Sequence, residues 1–183
     1  MADHRIALDE LRAVLDGVDQ VGVSDACNRI AGAGQIVLYG CGREGLQIQG
    51  LAMRLFHLGL PVAMVGDMTT PPLGAGDLFV VSSGPGALST AEALMRVARD
   101  AGADVLYLTA NPHTPEAALA TQVLTLPAQT MADDQGVSAR SVLPMGSVYE
   151  GALFILFEMM VLHLKANLGA TPDEMRARHN NME

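Results

Sequence analysis

Two charged residues stand inside a glycine-rich segment that follows a short apolar run. The segment reads "IVLYGCGREG" at residues 36–45, with Arg43 and Glu44 side by side. A glycine turn after a strand typically presents backbone N–H groups to an anion such as a phosphate. Arg43 adds a cation to such a site, whereas Glu44 adds a carboxylate that repels an anion. The spacing therefore indicates an anion-binding turn in which one side chain opposes the anion.

A second glycine-rich segment, "SSGPGALST" at residues 82–90, follows a later apolar run. Ser83, Gly84 and Gly86 in it are candidate ligand contacts, because ligands of open α/β sheets bind beyond the carboxyl ends of the strands. Thr70, in the loop after another apolar run, either contacts the ligand or fixes the turn before Pro71. Two glycine loops at neighbouring strand ends favour one small, compact ligand.

The first segment also matches the dinucleotide-binding pattern GxGxxG, at Gly40, Gly42 and Gly45. A nucleotide site needs, in addition, an acidic residue at the end of the second strand, and Asp67 stands there. An extended dinucleotide does not fit well with the second glycine loop. We therefore place the nucleotide interpretation behind that of a compact ligand.

The apolar pattern predicts the elements that position these loops. Helices are predicted over 5–16 and 20–31, then strands over 36–40, 61–66, 77–83, 104–110 and 122–128, with helices over 45–58, 88–101 and 114–120 between them, and finally a helix over 145–168 and a short terminal helix capped by Thr171. Strands that are apolar on both faces and alternate with helices indicate a parallel sheet covered on both sides. The prediction is an α/β fold, a three-layer αβα sandwich with a five-stranded parallel sheet flanked by N- and C-terminal helices, in one domain over 1–183.

The charge balance excludes nucleic acid as a partner. The net charge is -9 and Lys165 is the only lysine, so no basic cluster is available to neutralise phosphates. An acidic chain has no general attraction for phosphorylated metabolites either, so any anion binding must be local.

The apolar content predicts a homo-oligomer, and the cysteine usage together with the lack of a signal-peptide core predicts a cytoplasmic protein. Half of the residues are apolar and only 17% are charged, a surplus that indicates subunit interfaces. The apolar stretch at 151–164 is shorter than the ~20 residues that span a bilayer and contains Glu158 and His163, so it reads as a buried helix and not as a membrane anchor. No signal peptide is evident. The histidines and cysteines share no metal-ligand spacing, which argues against a metal site.

Longer motifs resemble a known family. "AMRLFHLG", "TTPPLGAGDL", "SSGPG", "PMGSVYE" and the closing "RHNNME" are similar to SIS (sugar isomerase) proteins, most closely to the 6-phospho-3-hexuloisomerases, over residues 5–183. The resemblance implies the SIS fold and a tetramer or dimer of dimers with sites between subunits. It also implies interconversion of 3-keto and 2-keto hexose 6-phosphates through an enediol, with no metal or organic cofactor.

The resemblance assigns roles to three residues. Glu150, in "PMGSVYE", is implied to be the base that moves a proton between adjacent carbons, and partial burial would raise its pKa from about 4.3 towards the range where proton transfer is efficient. His57 and His179 match family histidines and are implied to polarise a carbonyl or move hydroxyl protons, His179 from a neighbouring subunit. The structural alternatives are a polar residue early in a helix, a helix-end cap and a disordered tail, respectively.

The chain departs from the family at the loops that the resemblance implies hold phosphate. Glu44 stands where the family has a serine, and Pro85, Ala87 and Leu88 replace residues of the family pattern "SGSGET". Pro85 also lacks a backbone N–H. A carboxylate about 4 Å from a phosphate charge costs on the order of 4 kcal/mol at an effective dielectric of 20. Either Arg43 pairs with Glu44, or Glu44 points away from the site.

The resulting prediction is a sugar isomerase that keeps proton transfer while phosphate recognition is weakened or replaced, with Glu44 accepting hydrogen bonds from sugar hydroxyls or pairing with an amine. The predicted substrate-binding residues are Gly42, Arg43, Glu44, Ser83, Gly84, Gly86 and Thr70. Three alternatives remain: an isomerase of an unphosphorylated or otherwise substituted ketose, a non-catalytic sugar- or sugar-phosphate-binding module, and a structural partner of an active paralogue.

Overall fold

The computed structural model describes residues 3–135 and 140–182. The described elements in chain order are α1 (Asp3–Asp16), α2 (Gln20–Gly32), β1 (Ile36–Gly40), α3 (Gly42–Leu58), β2 (Val62–Met64), β3 (Leu78–Ser82), α4 (Ser89–Asp100), β4 (Asp104–Thr109), a 3₁₀ helix (Pro115–Leu119), β5 (Gln122–Thr125), α5 (Ser147–Leu168) and α6 (Pro172–Ala177). Thr171 caps α6 and forms a reciprocal capping box with Glu174.

The five strands form one parallel sheet in the order β2-β1-β3-β4-β5. β1 lies between β2 and β3, with Ile36 opposite Val62 on one side and Leu78 on the other. All residues of β3 are buried, as expected for a central strand with both faces covered. The predicted parallel sheet is confirmed.

Alternate residues of the strands face two separate hydrophobic layers. One layer, which includes Leu38, Val80 and Leu106, packs against α2, α3 and α5. The other, which includes Phe79, Val105 and Tyr107, packs against α4. The predicted αβα sandwich therefore follows from strands that are apolar on both faces.

The predicted start of α3 at residue 45 is wrong, because the helix begins at Gly42. Arg43 and Glu44 thus lie in the first helical turn and not in a preceding turn. The glycines permit close packing of this turn on β1: a Cβ at Gly45 would lie 2.6 Å from the Gly40 carbonyl oxygen. The predicted strands are also too long at their ends, most clearly β2, which covers three residues.

α5 is, within the described ranges, the one helix long and apolar enough to cross a membrane. It packs against α1, α2 and α3, and half of its most apolar 18-residue stretch is buried. The core helix of a soluble protein has the same length and composition, which agrees with the predicted buried helix.

Candidate active site

A cleft of about 290 Å³ opens at the carboxyl ends of β1 and β3. It lies between the first turn of α3, the loop after β3 and the first turn of α5. Its charged lining residues are Arg43, Glu44 and Glu150, and Ser82, Ser83, Thr130 and Tyr149 contribute hydroxyl groups. The cleft therefore combines two carboxylates with one guanidinium at the sheet edge where α/β proteins bind ligands.

Glu150 lies in the first turn of α5 and pairs with Arg43 across the cleft. Arg43 Nε lies 3.0 Å from Glu150 Oε2, with 17% of the Glu150 side chain exposed. Arg43 also donates to Ser147 Oγ at 3.1 Å and to the Met145 carbonyl. The predicted alternative in which Arg43 pairs with Glu44 is wrong, because its guanidinium is directed to the start of α5.

The backbone just before α5 has an unusual conformation, and it leads into the helical turn that places Glu150 at the cleft. Met145 has a φ of 57° and Gly146 a φ of 78°, so two successive residues are left-handed. Such a conformation is uncommon for a residue with a side chain, and residues in sparsely populated backbone conformations cluster at active sites and ligand-binding segments. A Cβ at Gly146 would lie 2.7 Å from the Met131 nitrogen, which explains the glycine.

Glu44 is directed into the cleft and bound to the loop after β3. Its carboxylate accepts a hydrogen bond from Ser82 Oγ at 2.7 Å and from the Gly84 N–H, which lies 3.0 Å from both carboxylate oxygens. The Tyr149 hydroxyl lies 3.2 Å from Ser82 Oγ. Because Ser82 gives its proton to Glu44, Tyr149 is the donor in that contact, and the three side chains form one hydrogen-bonded chain.

The environment of the cleft shifts its ionisable groups. Burial raises the pKa of Glu150, and the Arg43 charge opposes part of that rise. Burial also raises the pKa of Glu44; the Ser82 and Gly84 hydrogen bonds lower it, and the Glu150 charge adds to the rise. Burial holds the pKa of Tyr149 well above its ordinary value, so that phenol stays protonated. Two carboxyl groups with raised pKa values in one cleft suit acid–base chemistry.

The two predicted histidines lie elsewhere in the chain. His57 lies in the last turn of α3, and His179 follows α6. The two imidazole rings stack with their centroids 5.2 Å apart. Since a helix rises about 1.5 Å per residue, His57 lies roughly 20 Å from Arg43 along α3. Arg178 joins the two segments by donating to the His57 carbonyl at 3.1 Å. The fold brings the histidines together but not to the Glu150 cleft of the same chain.

Some of the remaining predicted ligand contacts lie at the cleft, whereas the others form hydrogen bonds that hold the loops in place. Gly42 and Ser83 line the cleft, and the Gly84 N–H binds Glu44. The Gly86 carbonyl accepts hydrogen bonds from the Ser83 and Tyr107 hydroxyls, and these bonds fix the loop after β3. Thr70 lies in the loop after β2 and donates to the Met64 and Asp67 carbonyls, so its hydroxyl closes that turn.

Sequence reasoning missed Ser82 and Tyr149 as site residues. Ser82 ends a strand whose residues are all buried, and it looks like part of the apolar run. Tyr149 precedes Glu150 and is 2% exposed. The signal that was available is the polar tip of each side chain, because a buried hydroxyl needs a hydrogen-bond partner. Among the described residues, no group of three His, Cys, Asp or Glu side chains could hold a metal ion.

The parallel αβα sandwich, with an acid–base cleft at the carboxyl edge of its sheet, is an architecture that many enzymes share. The family model of the SIS domain matches residues 29–155. The chain belongs to the SIS domain family.

Curated relatives match nearly the whole chain. The 3-hexulose-6-phosphate isomerase of Mycobacterium gastri is 35% identical over 175 residues, which are 96% of this chain and 87% of that protein. The 3-hexulose-6-phosphate isomerase of Bacillus subtilis is 30% identical over 176 residues, which are 96% of this chain and 95% of that protein.

Solved structures share the fold at lower identity. A Methanococcus jannaschii protein, for which a 3-hexulose-6-phosphate isomerase function was inferred, has a TM-score of 0.86 at 22% identity, with both chains covered to 100%. The Vibrio vulnificus NanR protein, solved with ManNAc-6P, has a TM-score of 0.78 at 21% identity and covers 96% of this chain and 65% of its own. Such likeness shows the fold alone.

Proposed function

We propose that the chain is a sugar isomerase that moves a proton between adjacent carbons of a hexulose or its 6-phosphate through an enediol. The observation that carries the proposal is Glu150, a largely buried carboxylate in the cleft whose pKa is raised by burial. The names of the two curated relatives, both 3-hexulose-6-phosphate isomerases, support the same reaction.

Glu150 acts as the base in this mechanism. It removes the proton from C2 of a 3-ketose, the C2–H electron pair becomes the C2=C3 bond of the enediol, and the C3 carbonyl oxygen takes a proton. Glu150 then delivers its proton to C3, while the O2 proton leaves and C2 becomes the carbonyl. The net change moves one hydrogen from C2 to C3 and one from O2 to O3, with no external oxidant. Arg43 holds the carboxylate in place through its 3.0 Å contact.

The oxygen-to-oxygen proton transfer needs a second acid–base group. We assign it to His57 and His179, acting in the cleft of a neighbouring protomer. Their stacked arrangement supports a shared role. The assignment depends on an oligomer, because the two rings lie roughly 20 Å from the cleft residues of their own chain.

The exposed apolar residues support a homo-oligomer, a tetramer or dimer of dimers. Large hydrophobic side chains stand exposed on α3 (Leu46, Met53, Phe56) and on α5 (Phe154, Met159, Leu162). These two helices pack against each other, so their outer surfaces adjoin. Apolar surface of this kind marks protein interfaces.

We also propose a single domain, a cytoplasmic location and catalysis without a metal or organic cofactor.

A sugar-binding sensor is the second candidate, because the NanR structure places a sugar phosphate on a protein with this fold. The two candidates differ in what Glu150 does. Under the enzyme proposal, replacing Glu150 stops turnover. Under the sensor proposal the protein has no turnover, and Glu150 acts only in ligand binding.

The test is proton NMR in D₂O with hexuloses and their 6-phosphates, following deuterium entry beside the carbonyl. Wild type exchanges at enzyme rates, and Glu150→Gln lowers the rate by about a thousandfold, in the range of general base catalysis. Glu158→Gln is the matched control, because Glu158 also lies on α5 but pairs with Arg54 of α3, outside the cleft. No exchange in any of these sugars with folded wild type, or equal exchange in Glu150→Gln, would contradict the proposal.

A further inference from the structure

The loop after β3 already uses its backbone N–H groups. The Ser83 N–H donates to the Leu108 carbonyl at 3.0 Å and the Gly86 N–H to the Ser83 carbonyl at 3.0 Å. The Gly84 N–H donates to the Glu44 carboxylate. Pro85 has no N–H to offer. Between Ser83 and Gly86, therefore, the Gly84 N–H that would bind the anion of a ligand is already bound to the carboxylate of Glu44.

The hydroxyl groups of the cleft are engaged in the same way. Ser82 donates to Glu44 at 2.7 Å, Ser83 to the Gly86 carbonyl at 3.1 Å, and Thr130 to Asp133 at 2.9 Å. Tyr149 is bound to Ser82. A phosphate dianion needs several donors, and these four hydroxyls have already found their acceptors.

Arg43, the one cation among the described residues that line the cleft, is also engaged. Each of the three guanidinium nitrogens of Arg43 has a protein partner: Glu150, Ser147 and the Met145 carbonyl. With Arg43 positive and both glutamates ionised, the described lining residues carry a net charge of minus one. The cleft thus presents acceptors and negative charge, which suits a ligand rich in hydroxyl donors.

We propose that Glu44 is a specificity-determining residue whose carboxylate replaces a substrate anion at the loop after β3, so that the preferred substrate is a ketose with a free hydroxyl, not a phosphate, at that end. The inference rests on the proposed function and specifies the substrate class of the same site. A phosphate charge about 4 Å from Glu44 loses on the order of a thousandfold in affinity, whereas a sugar hydroxyl gains a hydrogen bond to a charged acceptor.

Packing holds the carboxylate in this position. A Cβ at Gly84 would lie 3.0 Å from the Tyr149 ring and 3.1 Å from Glu44 Oε1, so the loop, the tyrosine and the carboxylate are in close contact. Glu44 also lies in the first turn of α3, where the helix dipole favours a negative charge. A phosphate would have to displace a carboxylate that has its own charge-assisted bonds.

The experiment compares wild type, Glu44→Gln and the control Glu158→Gln in two assays. Glutamine keeps the size of the side chain and an oxygen that accepts the Gly84 N–H, but it removes the charge. The first assay measures kcat/KM for deuterium exchange in a hexulose and in its 6-phosphate. The second measures the rise in melting temperature caused by saturating inorganic phosphate, which needs no catalysis. Circular dichroism verifies that each variant is folded.

The expected result is that wild type prefers the free hexulose and shows no melting shift with phosphate. Glu44→Gln moves the preference towards the 6-phosphate by about a thousandfold and gains a melting shift, while Glu158→Gln resembles wild type. A wild type that prefers the 6-phosphate, or an equal phosphate shift in wild type and Glu44→Gln, overturns the inference and leaves the isomerase proposal intact. Failure of every protein to exchange deuterium contradicts the isomerase proposal, and the phosphate shift then decides the role of Glu44 by itself.

Discussion

Arg43 Nε lies 3.0 Å from Glu150 Oε2 and joins the first turn of α3 to the first turn of α5. About half of the Arg43 side chain is exposed, so the pair adds little to stability by itself. Its consequence is chemical, because it fixes the orientation of a carboxylate and opposes the rise that burial causes in the pKa of that carboxylate.

Replacing Arg43 by Gln moves the acid limb of the kcat/KM profile to higher pH. The Arg43 charge lowers the pKa of Glu150 against the rise caused by burial, so its removal lets that pKa rise further. The base works only when it is ionised, and activity at low pH therefore falls first. Deuterium exchange measured across pH checks this, with Arg54→Gln as the control. A reduced rate with an unmoved limb would mean that Arg43 serves only to hold the backbone before α5.

Replacing Glu44 by Gln changes stability in a pH-dependent way. The folded protein raises the pKa of Glu44, so the fold binds its proton more tightly than the unfolded chain does. The wild-type protein therefore loses stability as Glu44 ionises, that is, as the pH rises from the ordinary pKa of about 4.5 through the raised pKa of the folded state. The free energy of unfolding of the variant relative to wild type therefore increases from acidic to neutral pH. Urea unfolding at several pH values measures it, and a difference that falls with pH contradicts it.

Mixing two inactive variants restores part of the activity if His179 acts across a subunit interface. Oligomers that contain both Glu150→Gln and His179→Ala chains place an intact Glu150 opposite an intact His179 at some of their sites. Unfolding and refolding the mixture, followed by the exchange assay, gives the result. Activity no greater than that of the separately refolded variants would show that His179 does not complete a neighbouring cleft.

Replacing Phe154 by Ser reduces the oligomeric mass. Phe154 is 58% exposed on α5, and a polar side chain there weakens an apolar interface while leaving the fold of the chain almost unchanged. Val97, exposed on α4, gives the control Val97→Ser away from α3 and α5. Sedimentation or light scattering reports the mass. Equal masses for both variants and wild type would place the subunit interface elsewhere.

Local pattern was sufficient for the sheet and most helices. The buried strands contain uninterrupted apolar runs, and alternation of strands with helices specifies a parallel sheet because short loops cannot join adjacent parallel strands. The start of α3 was mispredicted because glycine-rich segments typically form turns, whereas here Gly42 opens a helix with a φ of 59°. The resemblance to the SIS family also located Glu150, whose catalytic role stays a prediction.

By itself the sequence determined the order of elements, the two glycine-rich segments and the presence of Glu44 where an anion would be expected. Only the tertiary structure decided the partners of the charged groups: Arg43 turns to Glu150, and Glu44 to Ser82 and Gly84. The physical reason is that periodicity depends on neighbours along the chain, whereas an ion pair depends on which strand ends and helix ends meet in space. The same reason separates His57 from the cleft, because α3 carries it to the far edge of the sheet.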